Sequence, residues 1–250
     1  MRCCVITLFP EMFPGALGFS VTGTALREGK WQLTALNLRD YAYGKHRLID
    51  DTPYGGGAGM VMRPDVAALA IDAAYALLPD AQLILPSPRG RVFTQSFAAE
   101  LMRPHGVCCS EQGKESPSFI FLCARFEGID QRVLDSYNPL EISIGDYILC
   151  GGELAAMVMM EAMLRHVSGV LGNHHTHDEE SFTIGEESAC LLEYPHYTKP
   201  SVWKEISVPD VLTSGNHARI NAWRRAEAEK ITEMRRPDLW AAWKDRYSKV

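Results

Sequence analysis

The chain has 250 residues, enough for one large domain or for one plus a smaller one. Its hydrophobic content of 46% supports a real core, and its longest uncharged apolar stretch, Leu154 to Met160, is far too short to span a membrane. A net charge of −6 excludes a uniformly basic nucleic-acid binder, but the charge is unevenly spread. From Lys199 to Val250 there are 11 Lys+Arg against 7 Asp+Glu, net +4, while the other 198 residues carry 14 basic and 24 acidic residues, net −10. A basic end on an acidic body suits an anion such as RNA, or a helical tail with solvated charges. The 7 cysteines include no Cys-x-x-Cys pair, and the N-terminus, Met1-Arg-Cys-Cys-Val5, lacks a signal-peptide layout. Both features point to a reduced cytoplasm, with Cys3, Cys4 and Cys123 as small core residues.

Strand and helix alternate along the first two-thirds of the chain. Arg2 to Phe9 is apolar and β-branched, and Trp31 to Leu38 alternates like a half-buried strand. Arg63-Pro64 opens a helix with proline at its first position, and Ala-rich Asp65 to Leu78 ends it at Pro79. Further helices are expected over Thr94 to Met102, Ile129 to Ser136 and Glu153 to His166. This rhythm implies a mainly parallel sheet covered on both faces. A stretch without periodicity, Leu171 to Glu180, then leads to a small, mostly helical C-terminal part. There His217 to Met234, capped by Asn216, and Arg236 to Tyr247 read as helices.

Three buried strands each end in a turn-forming loop. Gln82 to Leu85 runs into Leu85-Pro-Ser-Pro-Arg-Gly90, Phe119 to Cys123 into Ala124-Arg-Phe-Glu-Gly-Ile-Asp130, and Ile142 to Ile144 into Gly145-Asp-Tyr-Ile-Leu-Cys-Gly-Gly-Glu153. Ligands of open α/β sheets bind beyond the carboxyl ends of strands, so the three loops could converge on one molecule. None fits Gly-x-Gly-x-x-Gly or a phosphate loop ending in Lys-Ser/Thr. That argues for a ligand gripped by backbone groups, such as an adenine-bearing cofactor. Glycine lets backbone approach closely, and the Gly151-Gly152 pair before a helix would leave N–H groups for the ligand.

Three more clusters could carry chemistry. Asp50-Asp-Thr-Pro-Tyr-Gly-Gly-Gly-Ala-Gly-Met60 reads as an ordered site loop rather than a plain linker. His174, His175 and His177, with Asp178 to Glu180, have a spacing that can hold zinc, but they fall in a linker where a rigid ligand set is not expected. Leu191 to Pro200 mixes aromatics with His196 and Lys199, either to stack on bases or to dock the linker.

These segments together resemble the bacterial tRNA (guanine-N1)-methyltransferases, the TrmD family of the SPOUT class. The likeness runs from Ile6-Thr-Leu-Phe-Pro-Glu-Met-Phe13 through the loops above, Gly169-Val-Leu-Gly172 and Pro195-His-Tyr-Thr198, to Ser214-Gly-Asn-His217 and Trp223-Arg224. The resemblance implies a trefoil-knotted parallel α/β domain with helices on both faces over residues 1–170. It implies an interdomain linker over 171–182 and a small helical tRNA-binding domain over 183–250. It implies a homodimer with a composite site, S-adenosylmethionine as cofactor, tRNA as partner, and methyl transfer to N1 of the guanine at position 37. A need for Mg²⁺ is also implied, with no metal ligand assigned. No membrane or DNA partner is expected.

Residue by residue, the resemblance assigns Leu85, Pro86, Ser87, Pro88 and Gly90 to the cofactor, with Arg125, Glu127 and Gly128 from the second loop. Ile144, Gly145, Tyr147, Leu149, Gly151 and Gly152 follow from the third. For the RNA it assigns Asp50, Tyr54, Gly55, Gly59, Glu193, His196, Tyr197, Ser214, Asn216, His217 and Arg224. For catalysis it assigns Arg165, to hold the guanine O6, and Glu180, to take the N1 proton. The chain departs from the family pattern at Glu180, where Asp is usual, at Ala155 for Pro, and at Ala124 and Phe126 for Gly and Tyr. Thr183 to Cys190 is also longer than the usual bridge and is expected to order on tRNA. The apolar, Met-rich helix from Glu153 to Arg165 offers more apolar surface than one sheet face needs, which favours a dimer.

Overall fold

In a computed structural model, residues 1–103, 116–171, 180–182 and 190–247 are described. The chain divides into two units, Met1–Gly172 and Asn173–Val250. The His174–His177 cluster and residues 183–189 lie outside the described residues.

The first unit is organised on β1 (Arg2–Thr7), which pairs in parallel with β2 (Gln32–Asn37) on one side and with β6 (Ser118–Leu122) on the other. Next to β6 lies β5 (Gln82–Val92), and next to β5 the edge strand β7 (Leu140–Ser143), again parallel. The order across the sheet is β2-β1-β6-β5-β7. Alternation within the buried strands sorts the core into two layers. Cys3, Val5, Phe119, Phe121 and Ile84 face one side, and Cys4, Ile6, Ile120, Leu122, Leu83 and Leu85 the other. Phe97 and Ala98 of α3 (Gln95–Leu101) and the apolar side chains of α5 (Glu153–Leu164) cover the first face. The second is covered by α2 (Pro64–Leu77) and α4 (Gln131–Tyr137). Helices thus lie on both sides of a parallel sheet, as continuous apolar strands require.

Four details depart from the sequence reading. The first loop is not simply the end of a strand: Pro86 and Arg91 both stand opposite Ile142, so Ser87 to Gly90 bulge out of a strand that resumes and runs to Val92. The pattern missed α1 (Ser20–Arg27), a sequence of β-branched residues and a glycine with no side-chain cap. Burial holds α1 instead: Thr22, Gly23 and Ala25 are buried, and the Trp31 indole donates to the Thr22 carbonyl at 2.8 Å. Helix α4 starts after Ile129 because the Asp130 carboxylate caps it, accepting from the Arg132 N–H at 2.9 Å. Finally, α5 spends most of its apolar surface within the unit, where Met157, Met159, Met160 and Met163 are all buried. Only Leu154 and Val158, one turn apart, remain about half exposed, at 54% and 50%.

In the second unit, α7 (His217–Arg235) is capped by Asn216, whose side chain accepts from the Arg219 N–H at 3.1 Å. It packs against α8 (Pro237–Tyr247), where Trp240 and Trp243 stack at 4.9 Å and Trp240 donates to Glu233. The buried Thr232 hydroxyl accepts from the Leu192 N–H at 2.8 Å, fastening the Leu191–Pro200 segment to α7. Ahead of the helices, β8 (Val202–Trp203) and β9 (Ile206–Ser207) form a two-stranded hairpin, followed by the short α6 (Asp210–Thr213). Sequence periodicity cannot register elements of two to four residues.

Candidate active site

The three loops meet. At the bulge of β5 and beyond the carboxyl ends of β6 and β7 they wall a cavity of about 470 Å³, in the size range of small-molecule and cofactor sites. Leu85, Pro86, Ser87 and Pro88 form one side, Arg125, Glu127 and Gly128 the second, and Ile144, Gly145, Tyr147, Leu149, Gly151 and Gly152 the third. Ala124, Phe126 and Ala155, the positions that depart from the family pattern, also line it, as do Arg89, Gln131 and Ile148, which the sequence reading passed over. Their place next to loop residues already singled out was the available signal.

Gly90 does not line the cavity. A Cβ there would lie 2.3 Å from the Glu141 carbonyl carbon and the Ile142 nitrogen, so this glycine serves the close approach of β5 to β7. Three other loop glycines also make room for protein, whereas a Cβ on Gly128 would meet nothing within 4 Å. A Cβ on Gly145 would meet the Tyr147 ring at 2.6 Å, one on Gly151 the Arg125 side chain at 2.3 Å, and one on Gly152 the Cys123 backbone at 3.0 Å. The Gly152 N–H is not left for a ligand either: it donates to the Ala124 carbonyl at 3.0 Å, tying the start of α5 to the end of β6.

Arg125 crosses the site. Its Nε lies 3.0 Å from Glu153 Oε2, one Nη donates to the Cys150 carbonyl at 3.4 Å, and its guanidinium sits 4.5 Å from the centre of the Phe9 ring. Glu153 is 1% exposed and also accepts from the Thr7 hydroxyl at 2.9 Å. Burial, reinforced by the Glu153 carboxylate, pushes the neighbouring Cys123 thiol well above its ordinary range. Burial also lifts Cys3 to about 12 and Cys4 to about 11, which leaves these thiols protonated core residues.

The glycine-rich segment forms a ribbon, not a bare loop: β3 (Asp50–Asp51) pairs antiparallel with β4 (Val61–Met62). At its tip Tyr54 is 98% exposed, and Gly55, Gly56, Gly57 and Gly59 all hold positive φ, which glycine alone adopts freely. Its return limb is zipped to the second cavity loop, with the Glu127 N–H donating to Met60 O and the Met62 N–H to Gly128 O, both at 2.9 Å. Asp50 therefore sits in a short ladder opposite Met62. Close by, Asp65 accepts from both Arg63 and Tyr43, and the Arg63 guanidinium holds its carboxyl down at about 2. Arg165 caps the C-terminal end of α5, where a cation also suits the helix dipole.

The remaining assigned residues belong to the second unit. Glu193 is hydrogen-bonded to the His196 ring at 2.7 Å, and the Tyr194 ring lies 4.9 Å from the His196 ring and 4.7 Å from the Arg224 guanidinium. Tyr197 packs against Trp223 with the rings tilted, their centres 6.2 Å apart. Ser214 and Asn216 shape the turn into α7, with His217 as its first residue. Glu180 and Ser181 precede Phe182, and the Ser181 hydroxyl accepts from the Glu193 N–H at 2.9 Å.

The family model described as tRNA (Guanine-1)-methyltransferase TrmD matches residues 1–242. The chain belongs to this family. It is 49% identical over 241 residues to the tRNA (guanine-N(1)-)-methyltransferase of Rhodospirillum rubrum, covering 96% of this chain and 93% of that protein. It is 50% identical over 239 residues to the enzyme of the same name from Brucella ovis, covering 96% and 91%. Family membership carries the methyltransferase chemistry, and the cavity at the strand ends is where the fold provides for a ligand. Among the described residues no helix is long and apolar enough to cross a membrane, and no group of three or more His, Cys, Asp or Glu is arranged to hold a metal.

Proposed function

We propose that this chain transfers a methyl group from S-adenosylmethionine to N1 of the guanine at position 37 of tRNA. The observation that carries the reading is the cavity walled by the three loops, in a chain about half identical, over nearly its whole length, to tRNA (guanine-N(1)-)-methyltransferases. Its lining fits an adenosyl cofactor: apolar walls such as Leu85, Pro86, Ile144 and Leu149 beside a few polar residues, with no phosphate-binding loop. When bound there, the cofactor supplies a methyl group already activated on a sulfonium. What is left to the protein is to align the guanine and to take its N1 proton.

Glu180 takes that proton in this reading, standing directly before Ser181-Phe182. Arg165 holds the guanine O6 as negative charge builds there. Tyr54, Gly55, Gly59 and Asp50 on the exposed ribbon, and Glu193, His196, Tyr197, Ser214, Asn216, His217 and Arg224 on the second unit, form the RNA surface. The net +4 of Lys199 to Val250 supports that placement. No step is assigned to Mg²⁺ in this reading.

We also read the first unit as trefoil-knotted and the active form as a cytoplasmic homodimer with a composite site. Half-exposed Leu154 and Val158 on α5 support a subunit contact, though a smaller one than the helix composition alone suggests. The test is methyl transfer to a tRNA transcript carrying guanine at positions 36 and 37, with the product mapped. Methylation at guanine 37 N1 is expected, and a methyl group at another position, or none, overturns the reading. Mixing Glu180→Gln subunits with cofactor-loop variants should restore part of the activity, and a monomer active at assay concentration refutes the composite site.

A further inference from the structure

Glu153 does not line the cavity, yet it controls a residue that does. It is the first residue of α5, and at 1% exposure water cannot satisfy its carboxylate. Oε1 accepts from the Thr7 hydroxyl at 2.9 Å and from Arg125 Nε at 3.2 Å, and Oε2 lies 3.0 Å from the same Nε. Thr7 is itself oriented, because its oxygen accepts from the Phe9 N–H at 3.0 Å. The start of a helix also favours a negative charge. The carboxylate is therefore held between the Thr7 hydroxyl and the guanidinium of Arg125.

That guanidinium sits in the cavity wall, bonded to the Cys150 carbonyl and stacked near Phe9. Gly151 has no room for a Cβ because the Arg125 side chain fills that space. The glycine, the arginine and the buried carboxylate form one unit. Without Glu153, a full positive charge with a partly desolvated environment would stand at the edge of a cleft that must accept a sulfonium cation. Two positive charges in such surroundings repel appreciably.

We propose that Glu153 is a positioning residue that keeps Arg125 charge-compensated at the cavity wall, and so sets how the cleft ranks the cationic sulfonium cofactor against its neutral thioether product. The inference rests on S-adenosylmethionine being the ligand. A cleft that binds the donor at least as readily as the demethylated product limits inhibition by that product.

The measurement is calorimetric affinity for S-adenosylmethionine and for S-adenosylhomocysteine, with melting curves to establish folding. In Glu153→Gln the affinity ratio should shift against the sulfonium on the order of fivefold, about 1 kcal/mol. Arg125→Gln should shift it the other way, which keeps the idea testable if Glu153→Gln fails to fold, and the Arg125→Gln/Glu153→Gln pair should return it to the parental ratio. A merely structural role would weaken both ligands equally and leave the ratio unmoved. That result, or no change in either affinity, overturns the proposal. Failure of the parental protein to bind S-adenosylmethionine would instead overturn the functional reading.

Discussion

Replacing Gly90 by alanine separates two explanations for a glycine in a cofactor loop. Its φ is not in the left-handed region, so alanine can adopt the backbone, and any cost comes from space. The added Cβ would lie 2.3 Å from the Glu141 carbonyl carbon and the Ile142 nitrogen, and 2.5 Å from the Glu141 oxygen. These are backbone atoms of the neighbouring strand and cannot rotate away. Strands β5 and β7 would have to part by roughly 1 Å to reach ordinary carbon–carbon separation. Overpacking of this kind costs about 1–3 kcal/mol, which for a unit of this size lowers the melting temperature by roughly 2–12 °C. Differential scanning calorimetry, with and without S-adenosylmethionine, reads the effect. The drop should appear in the ligand-free protein. A variant that melts with the parent but has lost cofactor affinity would place Gly90 against the ligand and refute the strand-approach argument.

Glu180→Gln should cut single-turnover methyl transfer strongly while leaving cofactor affinity nearly intact, and its rate should stop rising with pH through carboxylate ionisation. If Glu180→Gln keeps near-native chemistry while Asp178→Asn or Glu179→Gln loses it, the base is misplaced. Arg165→Ala should lose on the order of 10²–10³ in the same assay, and a loss under tenfold would reduce Arg165 to a helix cap. Asp65 has a folded value of about 2, below its ordinary 3.8, because Arg63 stabilises the carboxylate. Its contribution to stability is therefore complete above that ordinary value and fades as pH falls through about 2. An NMR titration with a midpoint at the ordinary carboxylate value would contradict the Arg63 pairing.

What the sequence made legible follows from burial. Strands such as Cys3 to Ile6 and Phe119 to Leu122 are apolar on both faces, so they stand out as runs, and the residues that break those runs are the loops that wall the cavity. Of the loop residues that the resemblance assigned to the cofactor, thirteen line the cavity, with Gly90 the exception. Helices with a cap or a first-position proline, such as Pro64–Leu77 and His217–Arg235, were equally plain, whereas Ser20–Arg27 has neither and owes its form to the Trp31 and core contacts around it. The misreadings at the glycines share one cause. A glycine announces that something comes close, but not what. At Gly90 it is a neighbouring strand, at Gly145 the Tyr147 ring, at Gly151 the Arg125 side chain.

Gly151-Gly152-Glu153 shows the consequence. Read as a string, the pair of glycines offers N–H groups to a ligand, and the glutamate is one more polar residue at a helix start. In three dimensions the Gly152 N–H closes onto Ala124, the missing Gly151 side chain admits Arg125, and Glu153 is the buried counter-charge that makes Arg125 tolerable there. Partners 28 and 146 residues away, Arg125 and Thr7, decide what the glutamate does. Local pattern finds the place where chemistry is arranged. The charge balance inside it depends on contacts between segments that no local pattern encodes, and in this chain that balance is set from behind the cavity wall.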